Sequence, residues 1–194
     1  MINSITVFCG SSSGTDPIYE SSAFALGKQL AAEKITVIYG GAQIGLMGQV
    51  AEGALQNNGN VIGVIPHFLS GKEILHEGLT ELIQVDTMHE RKTIMSEKSD
   101  GFIALPGGFG TFEELFEILT WAQLGLHQKP IAVLNIDGFY DDLHEMIQKM
   151  VDKGFLKAIN QDMVIKSDSI EDLLTQMRNY KAPDVPKWIK SDET

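Results

Sequence analysis

Glu114 closes the run Pro106-Gly-Gly-Phe-Gly-Thr-Phe-Glu-Glu114, and its type and position could do chemistry. The apolar residues just before it, Phe102-Ile-Ala-Leu105, read as a buried strand, and helical spacing begins near Phe112. A glycine-rich turn from strand to helix lets backbone N–H groups approach an anion, where the helix dipole also favours negative charge. Simple anion binding has no use for a carboxylate in the same turn. A reaction that deprotonates a neighbour, or builds a cation beside the anion, does. The same residues also admit a structural reading. Thr111-Phe-Glu-Glu114 fits an S/T-x-x-E capping box, and glycines before a helix serve tight turns without any ligand.

A second candidate lies upstream, in Thr87-Met-His-Glu-Arg-Lys-Thr-Ile-Met95. At about 100° per residue, Thr87, Met88, Ile94 and Met95 share one arc of a helix. Arg91 falls inside that arc and Lys92 at its margin. A guanidinium on a core-facing stripe is costly to bury unless an anion meets it. It could instead snorkel or pair with a structural carboxylate. The functional alternative is a cation converging on the anion site of Gly107–Glu114. On the following helix, Phe112, Leu115, Phe116, Ile118, Leu119 and Ala122 form the core face. Glu113 and Glu117 fall on the opposite side as a solvated pair, with Glu114 nearer the boundary. Trp121 and Leu124 project from the outer face, and a helix apolar on two sides packs on both. A homodimer contact is expected there.

The elements that must position these residues alternate along the chain. Ile5–Cys9, Ile35–Tyr39, Val61–Ile65, Leu82–Val85, Phe102–Leu105, Ile131–Leu134 and Met163–Ile165 read as strands. Segments 17–33, 46–57, 88–98, 112–124, 140–152 and 170–179 read as helices, the first opened by Asp16-Pro17. Continuous apolar strands alternating with helices predict an α/β fold: a Rossmann-like, doubly wound parallel sheet of six to seven strands with helices on both faces. Residues 1–180 form one expected domain. Pro66–Leu79 is a loop-rich excursion, and 181–194 a polar tail carrying Trp188-Ile189. Ligands of such sheets bind beyond the carboxyl ends of the strands. Three of those ends here are rich in glycine or serine: Gly10–Gly14, Gly40-Gly41 through Gly45 and Gly48, and Gly107–Gly110. Together they suggest an extended ligand.

Composition narrows the chemistry. Across 194 residues the net charge is −11, so broad attraction to nucleic acid or anionic membrane is not expected. Any phosphate must be held locally, by N–H groups and a few basic residues. With one cysteine, Cys9, no internal disulfide or Cys-based zinc site is available. The five histidines form no ligand cluster, and His89-Glu90 lacks the second histidine of a zincin. No G-x-G-x-x-G or Walker A run occurs, and Ser11–Ser13 lack a nucleophile-elbow frame. Neither a metal nor a cofactor is expected. With no signal-peptide layout and no apolar run of membrane-spanning length, the expected location is cytoplasmic.

Pro106 to Glu114, preceded by Met88-His-Glu-Arg-Lys92, resembles the LOG (Lonely guy) family of cytokinin riboside 5′-monophosphate phosphoribohydrolases. The similarity extends through Val7-Phe-Cys-Gly-Ser11, Gly40-Gly41, Gly45-Leu-Met-Gly48, Thr120-Trp-Ala-Gln-Leu-Gly125 and Lys129-Pro130. The resemblance implies a Rossmann-like homodimer that uses no metal. It also implies hydrolysis of the N-glycosidic bond of an adenine-type nucleoside 5′-monophosphate, a cytokinin riboside 5′-monophosphate or AMP. By position it makes Arg91 and Glu114 the catalytic pair. Glu73, Arg91, Lys92, Gly107, Gly108, Phe109, Gly110, Thr111, Phe112, Glu113, Glu114 and Thr120 would contact the nucleotide. Lys72–Thr80 departs from the family pattern, which weakens the assignment of Glu73. Members of the family once carried the label lysine decarboxylase, but no residue pattern here argues for that chemistry. A different class stays open: a non-catalytic nucleotide or cofactor carrier on the same fold.

Overall fold

Short apolar runs, each too short to bury a face alone, become strands of one sheet. The computed structural model describes residues 1–70 and 75–184. In chain order the elements are β1 (Ser4–Phe8), α1 (Pro17–Ala32), β2 (Thr36–Tyr39), α2 (Gly45–Leu55), β3 (Val61–Pro66), α3 (His67–Ser70) and β4 (Glu81–Val85). There follow α4 (Met88–Lys98), β5 (Gly101–Ala104), α5 (Phe109–Gln123), β6 (Ile131–Leu134), a 3-10 turn (Ile136–Gly138), α6 (Asp141–Asp152), α7 (Ala158–Gln161), β7 (Val164–Ser167) and α8 (Ile170–Asn179).

The seven strands pair in parallel in the order β4-β3-β2-β1-β5-β6-β7. The chain winds outward from β1 to one edge, then crosses back and winds to the other. The expected doubly wound sheet is therefore present. Its winding reverses between β1 and β5, which pair from Ile5↔Gly101 to Phe8↔Ala104. The loops leaving these two strands diverge at that point and open a crevice. They are tied together at its floor, where Gly10 N–H donates to the Pro106 carbonyl at 3.0 Å and Leu105 N–H to that of Phe8 at 2.9 Å.

Each face of the sheet carries its own core. On one, α1, α2 and α8 bury Leu26, Leu30, Val50, Leu173 and Leu174 against Ile5, Val7 and Val37. On the other, α4 and α5 bury Met95, Leu115 and Ile118 against Phe8, Phe102 and Val133. Burial on both faces explains why the central strands read as unbroken apolar runs rather than alternating ones.

Several boundaries differ from expectation. Helix α5 begins at Phe109 rather than near Phe112, because Gly108 serves as its N-cap. The excursion after β3 holds the short α3, and Leu75 bridges back to Ala42. Helix α7 had no periodic signal to find, being a single turn. The Trp188-Ile189 handle lies outside the described residues. No helix among the described residues is long and apolar enough to cross a membrane.

Candidate active site

Helix α4 starts with a complete capping box. The Thr87 hydroxyl accepts from Glu90 N–H at 3.1 Å, and the Glu90 carboxylate accepts from Thr87 N–H at 3.2 Å and Asp86 N–H at 2.9 Å. This box fixes where the first turn begins, and so which way residue 91 points. Arg91 points inward and is only 7% exposed. Among the described residues no carboxylate lies within ion-pair distance of it, so none of them supplies the structural pairing that would have explained its burial. Its Nη1 lies 4.0 Å from the Met88 sulfur, and its buried Nε has no hydrogen-bond partner. A buried cation left this way is costly, and an anion entering the site would relieve the cost.

The anion cradle sits across from it. Pro106-Gly107 leaves β5 at the crevice, and α5 opens at once with no side chain capping it. Its first N–H groups are thus left to solvent or ligand. Gly107 is required by close approach: a Cβ there would lie 2.1 Å from the Thr111 hydroxyl oxygen and 2.9 Å from Gly10 N. Gly108 and Gly110 are bare for the opposite reason, since a Cβ on either would meet nothing within 4 Å. Open space over uncapped N–H groups is what an incoming phosphate needs. Thr111 is buried in this turn, and the Phe109 ring at its lip is 97% exposed.

This geometry answers the capping-box question. With the helix beginning at Phe109, Thr111 and Glu114 lie inside it and cap nothing. Glu114 is half-buried, and burial pushes its carboxyl up to about 7, against the pull of the Arg91 and Lys92 charges and with the push of Glu113 and Glu117. A carboxyl in that range exchanges protons near neutral pH.

Lys92 corrects a second expectation. Glu113 and Glu117 are not a free solvated pair: Lys92 Nζ bridges them at 2.6 and 2.9 Å. These two contacts hold its ammonium charged despite burial. They also clamp α4 to α5, which keeps Arg91 and Glu114 on facing elements. Phe112 packs its edge on Tyr140, whose hydroxyl donates to the Leu105 carbonyl at 2.6 Å. That bond steadies the end of β5 just before the glycine turn. Tyr140 had no signal in sequence beyond opening a helical segment.

The structure therefore brings Arg91, Lys92, Gly107, Gly108, Phe109, Gly110, Thr111, Phe112, Glu113 and Glu114 to one crevice. It does not bring Thr120 there within a single chain. Thr120 is exposed, donates its hydroxyl to the Phe116 carbonyl at 2.7 Å, and lines an apolar groove against α6 and α7. Glu73 lies outside the described residues. Among the described residues no group of three or more His, Cys, Asp or Glu could hold a metal ion.

Comparisons with known proteins identify the family. Residues 47–177 match the family model described as "Possible lysine decarboxylase". A cytokinin riboside 5′-monophosphate phosphoribohydrolase of Arabidopsis thaliana is 45% identical over 183 residues, 94% of this chain and 84% of that relative. A second Arabidopsis protein of the same description is 44% identical over 177 residues, covering 91% and 82%. Among solved structures, the Moco carrier protein of Chlamydomonas reinhardtii superposes with a TM-score of 0.70 at 21% identity, covering 92% of this chain and 97% of that one. At that identity the likeness is one of fold.

Proposed function

The chain belongs to the family of cytokinin riboside 5′-monophosphate phosphoribohydrolases, and from that premise we propose how its crevice works. The protein is an N-glycosyl hydrolase: an adenine-type nucleoside 5′-monophosphate and water give the free base and ribose 5-phosphate. The uncapped start of α5, with Gly107, Gly108, Phe109, Gly110 and Thr111, receives the 5′-phosphate. Breaking the bond from C1′ to the base leaves the bonding electrons with the base and builds oxocarbenium character on the ribose. The Glu114 carboxylate stabilises that cation and takes the proton of the attacking water. Arg91 supplies charge-assisted hydrogen bonds to the substrate anion. Lys92, Glu113 and Phe112 hold the two helices and the ring cluster in place around it. Glu73 and Thr120 are further proposed substrate contacts.

The observation that carries this reading is the pairing of a half-buried carboxyl with a buried, unpaired guanidinium across an open glycine turn. A structural ion pair would have satisfied both charges, and among the described residues neither forms one. The pure protein incubated with AMP, an N6-substituted AMP and adenosine should release free base from the nucleotides, and far less from adenosine. Comparable release from AMP and adenosine would overturn the phosphate cradle. A carrier, the alternative reading, would return its nucleotide intact. We further propose a cytoplasmic homodimer that does not engage nucleic acid, in keeping with a net charge of −11.

A further inference from the structure

Two glycines follow β2, and different forces require them. Gly41 has φ +84°, a conformation side chains rarely adopt. Gly40 has no such φ, so its backbone would accept alanine. What a side chain at Gly40 would meet is Arg91. A Cβ there would lie 2.2 Å from Nη2 and 3.4 Å from Cζ, with the Met47 sulfur at 3.0 Å. The guanidinium therefore rests directly on bare backbone, alongside the thioethers of Met47 and Met88. Among the described residues no carboxylate lies within ion-pair distance of it, and its Nε has no hydrogen-bond partner. Among those residues it is packing against Gly40 and the two thioethers that fixes where it lies.

We infer that Gly40 is a positioning residue: its missing side chain forms the slot that sets the Arg91 guanidinium in the crevice. The inference rests on the proposed role of Arg91. Both obstructing groups are the far ends of flexible side chains, so an added methyl is relieved by moving the guanidinium rather than the backbone. The fold survives and the charge is misplaced. Shifts of about 1 Å in groups that align reacting atoms cost on the order of a hundredfold in rate.

The test is a cycle of wild type, Gly40→Ala, Arg91→Ala and the double variant, followed by base release from AMP and by thermal unfolding. Gly40→Ala should unfold near the wild-type temperature yet lose about a hundredfold in kcat/KM. Its acid limb should move to higher pH, because the Arg91 charge that holds Glu114 down has moved away. The other charged and titratable groups around Glu114 (Lys92, Glu113, Glu117 and Cys9) are untouched by the substitution. In the Arg91→Ala background Gly40→Ala should change nothing further. Wild-type activity in Gly40→Ala, or an equal loss in both backgrounds, overturns the slot. Should Gly40→Ala alone fail to fold, the double variant decides: recovery to the stability of Arg91→Ala supports the slot, and continued unfolding overturns it. Full activity in Arg91→Ala would instead sink the proposed role of Arg91, leaving the slot to be judged by the unfolding cycle.

Discussion

At the scale of single residues, the chemistry turns on one carboxyl held out of its usual range. Between its ordinary value of 4.5 and its folded value of about 7, Glu114 holds its proton in the native state and loses it in the unfolded one. Native proteins then bind more protons than unfolded ones, so this group makes stability fall as pH rises through that window. Glu114→Gln should therefore unfold at a higher temperature than wild type at pH 8, with the difference vanishing near pH 4.5. The same variant should keep its fold and lose at least about a hundredfold in base release, since an amide neither stabilises a cation nor accepts water's proton. Base release at near wild-type rate would reduce Glu114 to a bystander. In wild type, kcat/KM should rise with pH through about 7 as the carboxylate forms. Glu113 raises that value, so Glu113→Gln should shift the acid limb to lower pH. A limb that stays put would show that the profile reports another group.

Helices set the directions of these side chains. The capping box of α4 fixes the start of the helix that buries Arg91, whereas the Ser169 cap, whose hydroxyl accepts from Asp172 N–H at 3.4 Å, opens α8, the last helix among the described residues. Thr87→Ala and Ser169→Ala should each cost about 1 kcal/mol in chemical denaturation. Only Thr87→Ala should also lower kcat/KM, because only its helix carries a residue of the crevice. Equal activities in the two variants would detach the α4 cap from Arg91. The glycine turn of α5 works by the opposite device. It leaves the helix start uncapped where a ligand can finish it.

For the whole molecule, α5 has more apolar surface than one sheet can cover. Trp121 and Leu124 are half-buried on one flank, and Phe116 borders a groove with Leu119, Met150 and Leu156 on the other. Light scattering at micromolar concentration should give twice the chain mass. Leu124→Glu should shift it to monomer, while Phe155→Glu, at an exposed turn after α6, should not. A monomeric wild type with full activity would remove the dimer from the proposal.

The alternating apolar runs determined the parallel sheet, since strands buried on both faces leave no polar period to misread. The run from Pro106 to Glu114 and the arginine inside an apolar arc marked the crevice for a similar reason. Local rules have no use for a guanidinium on a core stripe. Other features were settled only by the tertiary structure. Thr111 and Glu114 matched a capping box letter for letter, yet the true box is Thr87 and Glu90, because tertiary packing began α5 at Phe109. Glu113 and Glu117 looked solvated until Lys92 arrived from another helix to bridge them. Gly40 and Gly41 are indistinguishable as letters, but one is set by its own φ and the other by an arginine 51 positions away. Local spacing determines which way a side chain faces along its element. What it meets there depends on elements far apart in the chain, and these come together only when the sheet closes its two cores.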